Sequence, residues 1–263
     1  MLESYVTKVF FVDQTFMDDL KERSLPDYEE FNKPAVDTRI VTLPLSKEQI
    51  GELTEVVDPS AIRAGSIVVK PKFSQDFVPV EEFTEDMVLR KYSLFVQLCV
   101  LLGAKSVSIS SVEGVAMDSS ARTSVTGEAS IGGVGGSASA SARAANSSLS
   151  QSLQASIMQL NTQASGGDPD LIAAQDLLGR HGLHRDALFN GLFSMRQSKS
   201  NQLKRHAITL DFAKDASRVF DSSMDARINV MSKLYKGKAE FEQTKKSVER
   251  NRISARLNVL VEF

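Results

Sequence analysis

The chain has 263 residues, 42% of them apolar and 24% charged, with a net charge of −2. That balance is ordinary for a globular protein and excludes wholesale disorder. A single cysteine, Cys99, excludes an intramolecular disulfide framework and a cysteine-based metal site.

The opening Met-Leu-Glu-Ser-Tyr has neither the basic nor the apolar region of a signal peptide. The most apolar stretch, 91–105, is too short to span a bilayer as a helix. The expectation is a cytoplasmic chain, with later membrane association on activation left open. Charge is uneven along it: residues 1–90 sum to −8 and residues 168–263 to +5. The plain reading is mutual attraction of the two parts; a basic C-terminal part also suits an anionic partner.

Residues 1–105 read as an N-terminal α+β part. Segments 5–12 and Thr38–Leu43 are rich in β-branched and aromatic residues and predict strands, with Ile67–Val69 a third. Ser46 and Gln49 predict a capping box for a short helix through Leu53. Thr84 predicts the cap of a helix over 85–102, stopped by Gly103. On that helix Val88, Tyr92, Phe95, Cys99 and Leu102 share one face, widened by Leu94, Leu98 and Leu101, which marks a core element.

Residues 106–167 differ from both flanks, being dominated by Ser, Ala and Gly. In 121–131 the odd positions are apolar or small and the even ones polar. In 137–145 the parity inverts, and Gly132, Gly133, Val134, Gly135 and Gly136 lie between. Glycine supplies the positive φ angles of a tight reversal. A turn over 133–136 pairs Ile131 with Ala138, Ala129 with Ala140, Gly127 with Ala142 and Val125 with Ala144. The apolar faces of both arms then coincide, and a one-residue shift destroys the match.

Residues 121–145 therefore predict a β-hairpin. Arg122, Glu128 and Arg143 all fall on its polar face. Each arm approaches the ~9–11 residues with which a tilted strand crosses a bilayer. Small, alternating, glycine-tipped hairpins of this kind resemble the membrane-inserting stems of β-pore-forming proteins, a likeness of pattern over some 25 residues rather than of a shared motif. Against it, alanine and glycine contribute little transfer free energy, and only Val125 and Ile131 suit lipid well. Next to the hairpin, Leu149, Leu153, Ile157 and Leu160 recur at helical spacing. The segment fits three readings: a flexible linker, the plainest from composition; a soluble hairpin against a partner or a second copy; and a membrane-inserting hairpin.

Residues 168–263 predict a helix–strand–helix–strand part. Asp168-Pro169 suggests a helix start, and a short helix with Leu188, Phe189, Leu192 and Phe193 follows Gly182. Ile208, Leu210 and Phe212 alternate in a strand over 206–212. A long amphipathic helix over 214–250 carries Val219, Met224, Ile228, Met231, Tyr235 and Phe241, with Gly237 a candidate interruption. Strict alternation over 252–263 closes the chain as a strand in the same sheet as 206–212. The fold class is thus α+β: an antiparallel or mixed sheet packed by long amphipathic helices. Residues 1–105 and 168–263 are expected to form one composite domain.

Catalytic signatures are sparse. His181 and His184 could share a helical turn, with Asp176 and Asp186 nearby, but Gly182 breaks the turn and no third ligand has diagnostic spacing. His206 stands apart. Residues 133–138 satisfy a relaxed dinucleotide-binding pattern, but no buried strand precedes them and no helix face follows. No phosphate-loop lysine motif, nucleophile elbow or His-Glu-x-x-His is present.

Arg196, Lys199, Lys204 and Arg205 form a loose basic cluster suited to an anionic surface. Without interleaved aromatics or any tryptophan it does not suit base stacking, so nucleic acid is not the expected partner. The expectation is a non-enzymatic protein acting by self-association or membrane interaction. Its sharpest form is an oligomeric pore former using 121–145, with Leu149, Leu153 and Ile157 as a helical mooring. The alternatives are a soluble scaffold with a flexible linker and a hydrolase or metal enzyme using His181 and His184. No cofactor is expected; the expected partners are a second copy and an anionic membrane surface.

Overall fold

A computed structural model describes residues 5–116, 155–156, 160–198, 203–251 and 253–263. Among these the fold is α+β, with two four-stranded sheets. The contacts divide the chain into two compact units, Met1–Met87 with Lys214–Ile253 and Val88–Ala213 with Ser254–Phe263. Each unit gathers segments distant in sequence.

The first unit is built on β1 (Lys8–Asp13), whose residues are buried from Lys8 through Val12. So continuous an apolar run marks a strand covered on both faces. Asp13 ends it and caps α1 (Gln14–Arg23), accepting from the Phe16 N–H at 2.6 Å. Ser24 then caps α2 (Leu25–Phe31). The chain returns as β2 (Thr38–Leu43), parallel to β1 with Lys8 opposite Thr38 and Asp13 opposite Leu43.

The predicted Ser46–Gln49 capping box is present, with both its bonds, on α3 (Lys47–Thr54). Antiparallel β3 (Ile67–Val69) and the short β4 (Val78–Pro79) complete the order β2-β1-β3-β4.

The continuous helix expected over 214–250 is instead three: α7 (Ala213–Ser217), α8 (Ser222–Leu234) and α9 (Ala239–Asn251). Two local signals break it. Asp221 accepts from the Met224 N–H and starts α8 afresh, and Gly237 adopts φ +83° before α9.

Core packing in this unit is aromatic. Phe16 stacks on Tyr235 at 4.9 Å, and Phe31 meets Phe16 edge-on at 5.2 Å. Two buried cations tie the segments together. Lys8, fully buried, reaches Asp221 and Asp37, the latter at 3.0 Å. Arg227 donates to the Phe31 and Lys33 carbonyls.

The second unit centres on α4 (Phe83–Leu101), on which the unit boundary falls after Met87. Val88, Tyr92, Phe95, Leu98, Cys99 and the following Leu102 are fully buried, as the helical spacing predicted. Its start differs from expectation. The helix begins at Phe83, so Thr84 lies inside it, and its buried hydroxyl has no hydrogen-bond partner among the described residues.

The sheet has the order β6-β5-β8-β7, from β5 (Ser106–Ala116), β6 (Thr162–Gln163), β7 (Arg205–Asp211) and β8 (Ile253–Glu262). β7 and β8 pair antiparallel, with Ile208 opposite Val259 and Leu210 opposite Leu257, so the predicted apolar faces coincide. Two helices complete the unit, α5 (Leu171–Arg180) and α6 (Ala187–Gln197). Asp170, not Asp168, caps α5, accepting from the Ala173 N–H at 3.0 Å.

Candidate functional site

The Ser/Ala/Gly-rich excursion begins and ends on two neighbouring strands of the second unit. β5 was expected to belong to the excursion; its eleven residues form a strand neighbouring β8 in the sheet. β6 returns antiparallel to it, with Ser106 opposite Gln163 and Val107 opposite Thr162. The excursion is thus an insertion between two hydrogen-bonded neighbours, its ends held together at the base.

That base is clamped from several sides. The Lys105 N–H donates to the Glu262 carbonyl at 2.6 Å, and its own carbonyl accepts from the Ala164 N–H at 2.8 Å. The Asp170 N–H donates to the Leu101 carbonyl at 2.8 Å, anchoring the segment that leads into α5 on the end of α4. Gly103 adopts φ +84° between α4 and β5, and an added Cβ would fall 2.2 Å from the Gly167 oxygen. Only glycine satisfies both the left-handed backbone and this close approach. Higher up, Asn258 of β8 donates to the Ser111 hydroxyl at 2.8 Å, and its carbonyl accepts from the Ser110 hydroxyl at 3.0 Å.

Arg196 belongs to this collar. It is 8% exposed, and its Nε donates to the Leu102 carbonyl at 2.9 Å while Nη1 donates to the Leu203 carbonyl at 3.1 Å. Its guanidinium lies 4.2 Å from the centre of the Phe263 ring. Burial lowers its pKa, a shift opposed by the nearby Asp168 charge. The sequence carried a sign of this: Phe189, Leu192 and Arg196 fall at i, i+3 and i+7 on α6, the stripe that is buried.

The structure therefore separates the predicted basic cluster. Arg196 serves the collar, while Lys204 and Arg205 are exposed at the start of β7. Arg205 lies 3.8 Å from Glu262. Lys199 lies outside the described residues, as do Val125, Ile131, Gly132, Gly133, Val134, Gly135, Gly136, Leu149, Leu153, Ile157 and the whole hairpin 121–145.

The histidines do not converge. His181 is the C-cap of α5, Gly182 follows with φ +61°, and His184 sits exposed on a short 3-10 turn. The carboxylates beside them are engaged elsewhere, Asp176 with Arg180 and Asp186 with Lys91 and the Leu188 N–H. His206 lies on β7 opposite Val261. Among the described residues no three His, Cys, Asp or Glu side chains are grouped to hold a metal.

Two open grooves stand out among the described residues. One of about 660 Å³ in the first unit is lined by Arg39 of β2 and by Glu48 and Glu52 of α3, a mixed charge set. The other, of about 500 Å³, lies between α4 and the returning limb of the excursion. No helix among the described residues is long and apolar enough to cross a membrane. No family model, curated protein or solved structure matches the chain.

Proposed function

We propose that the protein is non-enzymatic and acts on membranes by self-association, inserting hairpin 121–145 as an oligomeric pore former. The observation that carries this reading is the ladder at the base of the excursion, Ser106 opposite Gln163 and Val107 opposite Thr162. It delivers both ends of the excursion as adjacent antiparallel strands, the connection a hairpin stem requires. β5 continues nine residues past that ladder to Ala116, toward the alternating arm that begins at 121. The collar of Gly103, Gly167 and Arg196 supplies a firm base for the excursion.

Chemistry agrees with this arrangement. A strand in lipid must satisfy its backbone groups through neighbouring strands, so an inserted hairpin implies several copies closing a barrel. Arg122, Glu128 and Arg143 share the polar face that would line water. Of the predicted basic cluster, Lys204 and Arg205 are exposed, Arg205 beside Glu262, and a cation near an anionic surface is worth about 1 kcal/mol.

The test is dye release from anionic-lipid vesicles by the intact chain and by a form lacking 121–145. Release by the intact chain alone is the expected result. Release by neither returns 121–145 to a linker or a soluble contact.

A further inference from the structure

Among the described residues β7 is the outermost strand of its sheet, in the order β6-β5-β8-β7. Its register shows which residues turn outward. The Phe212 N–H donates to the Ala255 carbonyl at 3.1 Å, and the Phe263 N–H donates to the Lys204 carbonyl at 2.9 Å. Backbone groups alternate sides along a strand, so the even residues from 204 to 212 face β8. Arg205, Ala207, Thr209 and Asp211 therefore aim their backbone N–H and C=O groups at the open edge. Among the described residues no backbone group bonds them there. Arg205, Ala207 and Thr209 are exposed, and neither proline nor glycine interrupts the strand. An edge of this kind is a template for another strand.

We propose that this edge is an interface between two copies of the chain, β7 pairing antiparallel with β7 of a second copy about a twofold axis at Ile208. Charge complementarity selects both the occupant and the register. With Ile208 opposite itself, Arg205 of one copy lies opposite Asp211 of the other, and Ala207 lies opposite Thr209. These are the outward-turned residues, so their backbone groups bond one another. β8 extends the pattern, because within the chain Arg205 lies opposite Glu262 and Asp211 opposite Arg256. Across the four strands the row then reads Glu262, Arg205, Asp211, Arg256. Its signs alternate at every step, and the twofold repeats it in reverse.

Cross-strand pairs of opposite charge stabilise a sheet, and like charges directly opposite destabilise it. The smallest shift that keeps outward residues opposed is two positions, and in either direction it sets Arg205 and Asp211 against uncharged residues. The Arg205 side chain is 68% exposed and 3.8 Å from Glu262, so it is able to take a second carboxylate. On the other face the half-buried Ile208 meets its counterpart, and His206 meets Leu210. The interface belongs to the sheet of the second unit and not to hairpin 121–145, so it stands independently of the membrane reading.

The test uses the full chain without lipid. Sedimentation velocity over a concentration series is expected to show a dimer. Ala207→Pro removes an outward N–H and leaves the β7–β8 bonds in place; it is expected to raise the dissociation constant at least tenfold. Arg205→Asp and Asp211→Arg each set like charges opposite and weaken the dimer alone. A mixture of the two single variants is expected to recover it, since every row then opposes unlike charges.

Cross-linking reads the register directly. Ile208 faces itself in a non-hydrogen-bonded pair, where Cα atoms lie about 4.5 Å apart, within the reach of a disulfide. Ile208→Cys is therefore expected to form a disulfide-linked dimer on mild oxidation. Thr209→Cys is not, because its counterpart lies on the diagonal, about 7–8 Å away. Cys99 is buried and does not compete. A parent chain that stays monomeric overturns the interface, as does a dimer that Ala207→Pro leaves intact. Thr209→Cys linking as readily as Ile208→Cys overturns the register. So does a mixture that fails to recover when circular dichroism shows both single variants folded.

Discussion

Gly103 and Gly167 approach so closely that a methyl group on Gly103 would sit 2.2 Å from the carbonyl oxygen of Gly167. The two residues bracket the excursion, one where the chain leaves α4 for β5 and the other just after β6 brings it back. Gly103→Ala meets two costs together: a left-handed backbone, about 1–3 kcal/mol, and overpacking against backbone that cannot swing aside, about 1–3 kcal/mol. A loss of at least about 2 kcal/mol in urea unfolding is the expected outcome. A loss below about 0.5 kcal/mol, the range of ordinary surface changes, would mean that the collar is not rigid.

Arg196 separates a structural role from an anion-binding one. Two charged hydrogen bonds to the carbonyls of Leu102 and Leu203 and a stacked face on Phe263 use the planar fork of guanidinium. Lysine offers a point charge and cannot reproduce them. Arg196→Lys is expected to cost about 2–3 kcal/mol of stability, the scale of hydrogen bonds from a charged donor. Lys204→Gln and Arg205→Gln should leave stability within about 0.5 kcal/mol while weakening binding to anionic vesicles. Thermal unfolding beside vesicle sedimentation reads both. Equal stability loss at all three positions would contradict the assignment.

In the first unit the buried Lys8 lies 3.0 Å from Asp37. Burial acts to raise the Asp37 pKa, but the hydrogen bond and charge of Lys8 outweigh it, and the net shift is downward from the ordinary 3.8. A carboxylate with a depressed folded pKa contributes stability above its unfolded pKa and loses that contribution as pH falls through the folded value. The window therefore lies below about pH 4. Asp37→Asn should be less stable than the parent at neutral pH, and the difference should shrink as pH falls through that window. A difference that stays constant from pH 7 to pH 3 would show that the Lys8 contact carries no linkage.

How much of this was legible in the sequence depends on whether the signal was local. Ser46 and Gln49 announce a helix start because both halves of the capping box lie within four residues. The α4 core face and the β7–β8 pairing follow from strict 3.6- and 2-residue periods. α1 and α2 were missed because QTFMDDLKER and LPDYEEF bury few side chains, mainly Phe16, Leu20 and Phe31. Their helicity rests on caps at Asp13 and Ser24. β5 was missed because Ser106–Ala116 alternates imperfectly; its strand character comes from β8, some 150 residues away. The collar was hidden for the same reason. Gly103, Gly167 and Arg196 meet only in three dimensions, although Arg196 on the Phe189–Leu192 stripe was a readable sign.

The tip glycines and the histidines separate the two classes of function. If hairpin 121–145 acts in the membrane, Gly133→Val with Gly135→Val removes the positive φ angles its reversal needs and should abolish dye release. A change confined to the excursion should move the melting temperature by no more than about 2 °C. His181→Ala, His184→Ala and His206→Ala should each leave release intact, because among the described residues none of the three belongs to a group of three or more His, Cys, Asp or Glu side chains able to hold a metal. Loss of release on replacing His181 or His184, with melting unchanged, would move the site to the end of α5 and restore the enzymatic alternative. Loss on replacing the glycines alone would place the activity in the hairpin.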